Sequence, residues 1–456
     1  MQAYQIAFLP IIRTTFDVTL AEQMIAIARK ALLAAGFSLS GPEQALVNVT
    51  DAEKAIQDLA AHPVDLLLIF QATFADSTMV VTLTANATAP VFLWAIPEPW
   101  TGDRLRLNSL CGINLAGHAL TLRHRYYEYA YATPDDVETI RKIRASVAAG
   151  RLYRQLKSTR LGVVGEHPAG LDTCDLNAPT LERYFGIKVD QLQLSDVFNR
   201  ARSTPSEDLE PLRTRLDTYL QNLDSLDQKP LNGTLSVYAA LKDITEEEKL
   251  DGLAVRCWPE FFTEMGCAAC GAMSMLSDGF DLSRPIPCSC EADANGTVTQ
   301  LMLQILADAP AFGTDIVGVD LAKDLVALWH CGLAPLSMAD PNVQAQGGVH
   351  SNRGVPLVMD FPLKPGEITF ARLSQATGDL RLVVGKGEML AAPKPFSGTS
   401  GTLKVKGSAK RFLTALMQEG LEHHISFVYG DYLDSLVAFA KLVQISILNL
   451  SEEVNR

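Results

Sequence analysis

Tyr4 to Gly36 reads YQIAFLPIIRTTFDVTLAEQMIAIARKALLAAG, and this run carries the pattern that decides the fold. The short apolar segment YQIAFLP has the length of a strand. Behind it, Leu20, Met24, Ile27, Ala28 and Leu32 recur at helical spacing, and Gly36 stands where a helix stops. The next apolar runs, VDLLLIF at 64–70 and APVFLWAI at 89–96, show no alternation. Strands of a parallel sheet covered on both faces have that character. Strand and helix in alternation predict a doubly wound α/β layer, assigned here to residues 1–157.

A second layer of the same kind is expected over residues 158–325. The charged helix DDVETIRKIRASVAAGRLYRQLKS leads into RLGVVGEHPAG, a strand with a glycine turn. SEDLEPLRTRLDTYLQNLDSL reads as an amphipathic helix. DGLAVRCW and DIVGVD read as strands, with a helix over GTVTQLMLQILAD between them. Beyond about residue 330 the texture changes. GEITFARL, GDLRLVVGKGEML and GTLKVK are short strands parted by glycine turns, which predicts an antiparallel β-barrel over residues 326–456.

Composition excludes several functions. The 456 residues carry 39 Lys and Arg against 52 Asp and Glu, a formal net charge of -13. Nucleic acid and anionic membranes ask for a basic footprint, so neither is expected as a partner. No stretch reaches the roughly 18 uninterrupted apolar residues of a membrane span. The opening MQAYQIAFLPIIRTTF has no basic lead and no small-residue cleavage site, so it reads as a first strand and not as a signal peptide. Eight cysteines spread over the chain do not form a disulfide-framework pattern, which points to a reducing cytoplasm.

The chemistry concentrates in IPCSCEADANGTVTQLMLQILADAPAFGTDIVGVD, where Glu291 and Asp315 stand 24 positions apart in apolar surroundings. α/β sheets place functional groups just beyond the carboxyl ends of their strands. A helix between the two acids lets the chain return, so both can face one crevice, where a divalent cation relieves their repulsion. The plainer reading is that Glu291 and Asp293 favour the dipole of the following helix and Asp315 solvates a strand end. GLEHHISFVYGDY adds His423 and His424 side by side; on a strand they face opposite ways, so only one can enter a given site. LWHCGLAP places His330 at an apparent domain junction. A rival metal reading takes Cys267 and Cys270 of GCAAC with Cys288 and Cys290 of CSC as a structural zinc staple, and buried free cysteines explain the same residues.

RCWPEF, the CEAD…G segment, the acid following F-x-x-D, HCG and GLEHHISFVYGDYLDSLVAFAKL together resemble the L-fucose isomerase / L-arabinose isomerase superfamily, most closely its shorter fucose-isomerase-like branch. The resemblance implies two α/β domains followed by a β-barrel. It implies a metal-dependent aldose–ketose isomerase acting on a monosaccharide through an enediolate. The metal would be Mn2+, or another divalent cation such as Mg2+ or Co2+. Carried over, the ligands are Glu291, Asp315 and His424, with both acids catalytic and His423 the alternative imidazole. Arg13, Arg256, Trp258, His330 and His423 are the candidate sugar contacts. Fucose, arabinose and an anionic sulfosugar are the open substrates, and Arg13 or Arg256 can meet an anionic group. The family habit implies a homo-oligomer, trimer or hexamer. A non-catalytic sugar-binding protein is the alternative outside enzymes.

Overall fold

This computed structural model describes residues 3–60 and 62–451, which divide into two compact units. The first runs to Gln155 and takes in the segment Asp434–Gln444. Its five strands are all parallel, in the order Ser38–Ser40, Gln5–Ile11, Leu66–Gln71, Val91–Ala95 and Tyr127–Tyr131. The first strand shows why both sheet faces are apolar. Ile6 and Phe8 join one core with Ala21, Ile25 and Ala28 of the helix Val18–Ala34. Ala7, Leu9 and Ile11 join the other core with Ala52, Ala55 and Leu59 of the helix Val49–Leu59. That is the doubly wound layer expected from the alternating runs.

The buried stripe of the Val18–Ala34 helix differs from the one read in the sequence. Ala21, Ile25, Ala28 and Leu32 face the sheet, whereas Ile27 is 41% exposed. Two stripes at helical spacing coexist in this segment, and the one rich in alanine wins because it lets the helix approach the sheet closely.

In the second unit four parallel strands run in the order Lys188–Leu192, Arg160–Val164, Gly252–Val255 and Cys288–Ser289. The barrel follows. Phe312–Asp320, Leu325–His330, Thr399–Val405, Arg381–Met389, Gly366–Ser374 and His424–Tyr429 pair antiparallel in that order, and the last closes on the first. The strand containing DIVGVD, read above beside the strands of the second α/β layer, is therefore a barrel strand. Its neighbours are a hairpin partner and a strand about a hundred residues downstream, and no local pattern can announce the second. Closure leaves none of these six strands with an open edge, so the carboxylate one of them carries is held rigidly.

The cysteines are arranged differently from the zinc staple. Cys290 pairs with Cys257 in a disulfide, the one such bond among the described residues. Cys270 lies 3.0 Å from Cys331, and Cys267 and Cys288 are buried as free thiols. Among the described residues the four cysteines of that staple do not gather. Nor does any helix there have the length and apolarity to cross a membrane.

Candidate active site

Three elements of the second unit deliver the acids and histidines to one place. The strand Cys288–Ser289 ends in a turn where Glu291 (φ 59°, ψ 24°) and Ala292 (φ 54°) both take the left-handed conformation. Each such non-glycine residue costs on the order of 1 kcal/mol or more, so the surroundings must enforce it. The turn lets Asp293 cap the helix Ala294–Ala307, its Oδ1 accepting from the Gly296 N–H at 2.9 Å. It leaves the Glu291 carboxylate turned away from that helix, with Oε1 accepting the Trp258 indole N–H at 3.2 Å.

Asp315 and His424 come from the barrel. They are directly opposed partners on adjacent antiparallel strands, so their side chains share a face. His424 Nε2 lies 3.2 Å from Asp315 Oδ1 and 3.8 Å from Glu291 Oε2. Its other nitrogen, Nδ1, is 2.9 Å from Asp293 Oδ2. Asp293 in turn pairs with Arg372, itself 2% exposed, whose Nη2 donates to the Thr173 carbonyl at 3.0 Å. The order is buried arginine, carboxylate, imidazole and then the two outer acids.

His423 reaches the same point. Its Nε2 is 3.2 Å from Glu291 Oε2 and 4.0 Å from Asp315 Oδ1, while Thr173 Oγ1 holds its Nδ1 at 2.8 Å. The expectation that only one of the two histidines could enter is thereby corrected. The strand begins at His424, so His423 precedes it and escapes the alternation that a strand imposes.

Electrostatics follow from this crowding. Burial alone would lower the pKa of His424, but the hydrogen bonds of Asp293 and Asp315 outweigh it and raise the pKa well above its ordinary value. Burial would raise Glu291 and Asp315. The imidazoles facing them reverse that and hold both carboxyls below the usual range. His330 is different: burial brings it down to about 4, so it is neutral. Its Nδ1 accepts from the Cys331 N–H at 2.9 Å, which leaves Nε2–H as a donor.

The acids open on a cleft of about 290 Å³ with Trp258, Trp329 and His330 in its walls. Two other residues of the sequence reading are engaged elsewhere. Arg256 grips Glu260 at 2.8 Å and the Glu166 carbonyl at 3.3 Å. Arg13 belongs to the first unit, where its guanidinium covers the Phe74 ring at 5.6 Å. Sequence reasoning missed Arg372, Thr173 and Cys174, whose thiol lies 3.8 Å from Glu291 Oε2. It saw Asp293 only as an acid favouring the dipole of the following helix. The F-A-R pattern of a barrel strand and a threonine in a loop carry no signal of their own.

The residues present fit a divalent cation. His424 joins two groups that could hold an ion, one with Glu291, His423 and Cys174 and one with Asp315 and His330, and the Asp293 contact at Nδ1 aims its Nε2 at the acids, as metal-bound histidines require.

The chain is similar to known proteins along nearly its whole length. Residues 8–157 match the fucose/sulfoquinovose isomerase N-terminal domain, and residues 358–450 match the L-fucose isomerase C-terminal domain. The chain is 31% identical over 448 residues to the sulfoquinovose isomerase of Priestia megaterium, covering 98% of this chain and 99% of the relative. The sulfoquinovose isomerase of Alkalicoccus urumqiensis is 31% identical over 447 residues, with the same coverage. That of a Clostridium species is 29% identical over 449 residues.

Proposed function

We propose, because the chain belongs to the fucose/sulfoquinovose isomerase family and is an aldose–ketose isomerase, that it interconverts sulfoquinovose and its 2-ketose with a divalent cation, Mn2+ in preference to Mg2+ or Co2+. The observation that carries the reading is His424 Nε2 placed 3.8 Å from Glu291 Oε2 and 3.2 Å from Asp315 Oδ1, the two acids lining one cleft. Near full-length similarity to proteins named for that sugar supports the substrate.

Aldose–ketose exchange moves a proton between C1 and C2 of the open chain while the adjacent oxygens trade carbonyl and hydroxyl character. A cation bound by Glu291, Asp315 and His424 supplies positive charge where negative charge develops on those oxygens. The protein's share is the rest. Glu291 and Asp315 act as ligands and as the carboxylates that take and return the carbon-bound proton. Trp258 fixes the Glu291 carboxylate through its indole N–H. His330 offers Nε2–H to a sugar hydroxyl, His423 stands beside Glu291 as a further contact, and Trp258 and Trp329 wall off water. The reading extends to a cytoplasmic homo-oligomer, trimeric or hexameric, on the family habit.

The test is turnover of sulfoquinovose, L-fucose and L-arabinose by chelator-treated protein, before and after adding each cation, with the products followed by NMR. Activity lost on chelation and restored by manganese, with sulfoquinovose the best substrate, is the expected result. Full turnover by metal-free protein, or no turnover of sulfoquinovose under any condition, would overturn it.

A further inference from the structure

Resting on the sulfosugar reading, we propose that Arg353, held over Phe262 beside His350 in the turn at 350–354, is the sulfonate-binding residue of the cleft. A sulfonated aldose presents two ends of unlike chemistry. Its C1 and C2 must meet Glu291 and Asp315, while its sulfonate, a permanent anion at the other end of the carbon chain, is repelled by the same carboxylates. The site therefore needs a fixed cation within the cleft and apart from the acids. Among the described residues lining the cleft, Arg353 is the one lysine or arginine.

Its setting suits that task. The turn is closed by paired backbone contacts: the His350 N–H donates to Val355 O at 2.9 Å, and the Arg353 and Gly354 N–H groups donate to His350 O at 3.1 and 2.8 Å. The Arg353 guanidinium lies over the Phe262 ring, 5.5 Å from its centroid. His350 meets the same ring edge-on at 5.1 Å. Phe262 thus supports both polar groups from below. No carboxylate pairs with Arg353 among the described residues, whereas Arg256, one of the two arginines the sequence offered for an anionic group, is gripped by Glu260. His350 Nδ1 accepts the Asn352 N–H at 3.3 Å, so Nε2–H is its free donor. A guanidinium fork and an imidazole N–H supply the donors that three sulfonate oxygens accept.

Arg353 is exposed and packs no core, so its replacement tests recognition and not folding. The experiment compares kcat/KM for sulfoquinovose with that for quinovose, the neutral sugar with a methyl group in place of the sulfonated carbon. It uses the manganese-loaded enzyme and the variants Arg353→Gln and Arg353→Lys. Loss of a charge-assisted contact is expected to cut the sulfoquinovose-to-quinovose ratio about 100-fold in Arg353→Gln, mostly through KM. Arg353→Lys keeps the charge without the fork and should recover about 10-fold of that. An unchanged ratio in Arg353→Gln, with the wild type active on sulfoquinovose, overturns the assignment of Arg353 alone. Equal loss on both sugars also overturns it, since that marks a structural role. A wild type that converts neutral sugars and ignores sulfoquinovose overturns the sulfosugar reading, and this assignment with it.

Discussion

Asp293 illustrates how one carboxylate can serve structure and site together. Its Oδ1 caps a helix while its Oδ2 holds the Nδ1 of His424 and answers Arg372. Asp293→Asn keeps the cap and weakens the orientation of the imidazole. Manganese affinity should fall about 10- to 100-fold with the helix intact, measured by titration of metal-free protein. Asp293→Ala also leaves the buried Arg372 with only its longer 3.9 Å pairing to Glu422, so denaturant unfolding should show a loss of about 3 kcal/mol. If its stability matches the wild type, the buried pair is not what holds this corner. The outer acids behave differently, because each is partly open to the cleft. Glu291→Gln and Asp315→Asn should each abolish turnover while the protein stays folded by circular dichroism. Wild-type rates in either variant would remove that residue from the mechanism. Glu291 and Asp315 stand out in the sequence because acids are rare in apolar runs. Arg372 does not, since its burial is decided by Asp293, a residue 79 positions earlier.

At the scale of elements, the decisive piece is the turn from Cys288 to Gly296, which carries one acid outward and the next inward. Gly296 makes it possible. A Cβ there would sit 2.4 Å from Asp293 Oδ2 and 3.1 Å from Arg372 Nη1. Propensity alone says that Gly→Ala in a helix stabilises by about 1 kcal/mol. The crowding predicts the opposite sign: Gly296→Ala should lower the melting temperature and weaken manganese binding together. A more stable variant with unchanged metal affinity would show that the close approach is relaxed in solution. The CEAD…G spacing made this turn readable in outline. Its left-handed Glu291 and Ala292 were not readable, because neither is a residue type that announces positive φ. The barrel was legible from its glycine-parted strands, whereas the pairing of Asp315 with His424 was not. Register between strands so far apart is fixed by closure of the whole barrel.

For the whole molecule, the site is a store of opposed charge whose balance depends on pH and on the cation. Asp293 is held well below its ordinary 3.8 by Arg372 and His424 despite complete burial. Its contribution to stability is therefore present above that value and lost as pH falls through the folded one. His424 has the reverse sign in the metal-free protein. Its pKa is raised well above 6.5, so its contribution is full below 6.5 and lost as pH rises through the folded value. A cation among Glu291, Asp315 and His424 needs the imidazole lone pair that this proton occupies, so binding must release the proton. Two outcomes follow for one preparation. Manganese affinity should rise with pH across the neutral range, and calorimetry in buffers of different ionisation enthalpy should register about one proton released per ion bound. Metal-free protein should lose thermal stability toward alkaline pH, while protein with manganese at about 100 times its dissociation constant should gain about 2.7 kcal/mol from mass action and resist that loss. Binding without proton release would mean that His424 is neutral before the ion arrives. The chain of carboxylates around it would then have a purpose other than preparing a metal ligand.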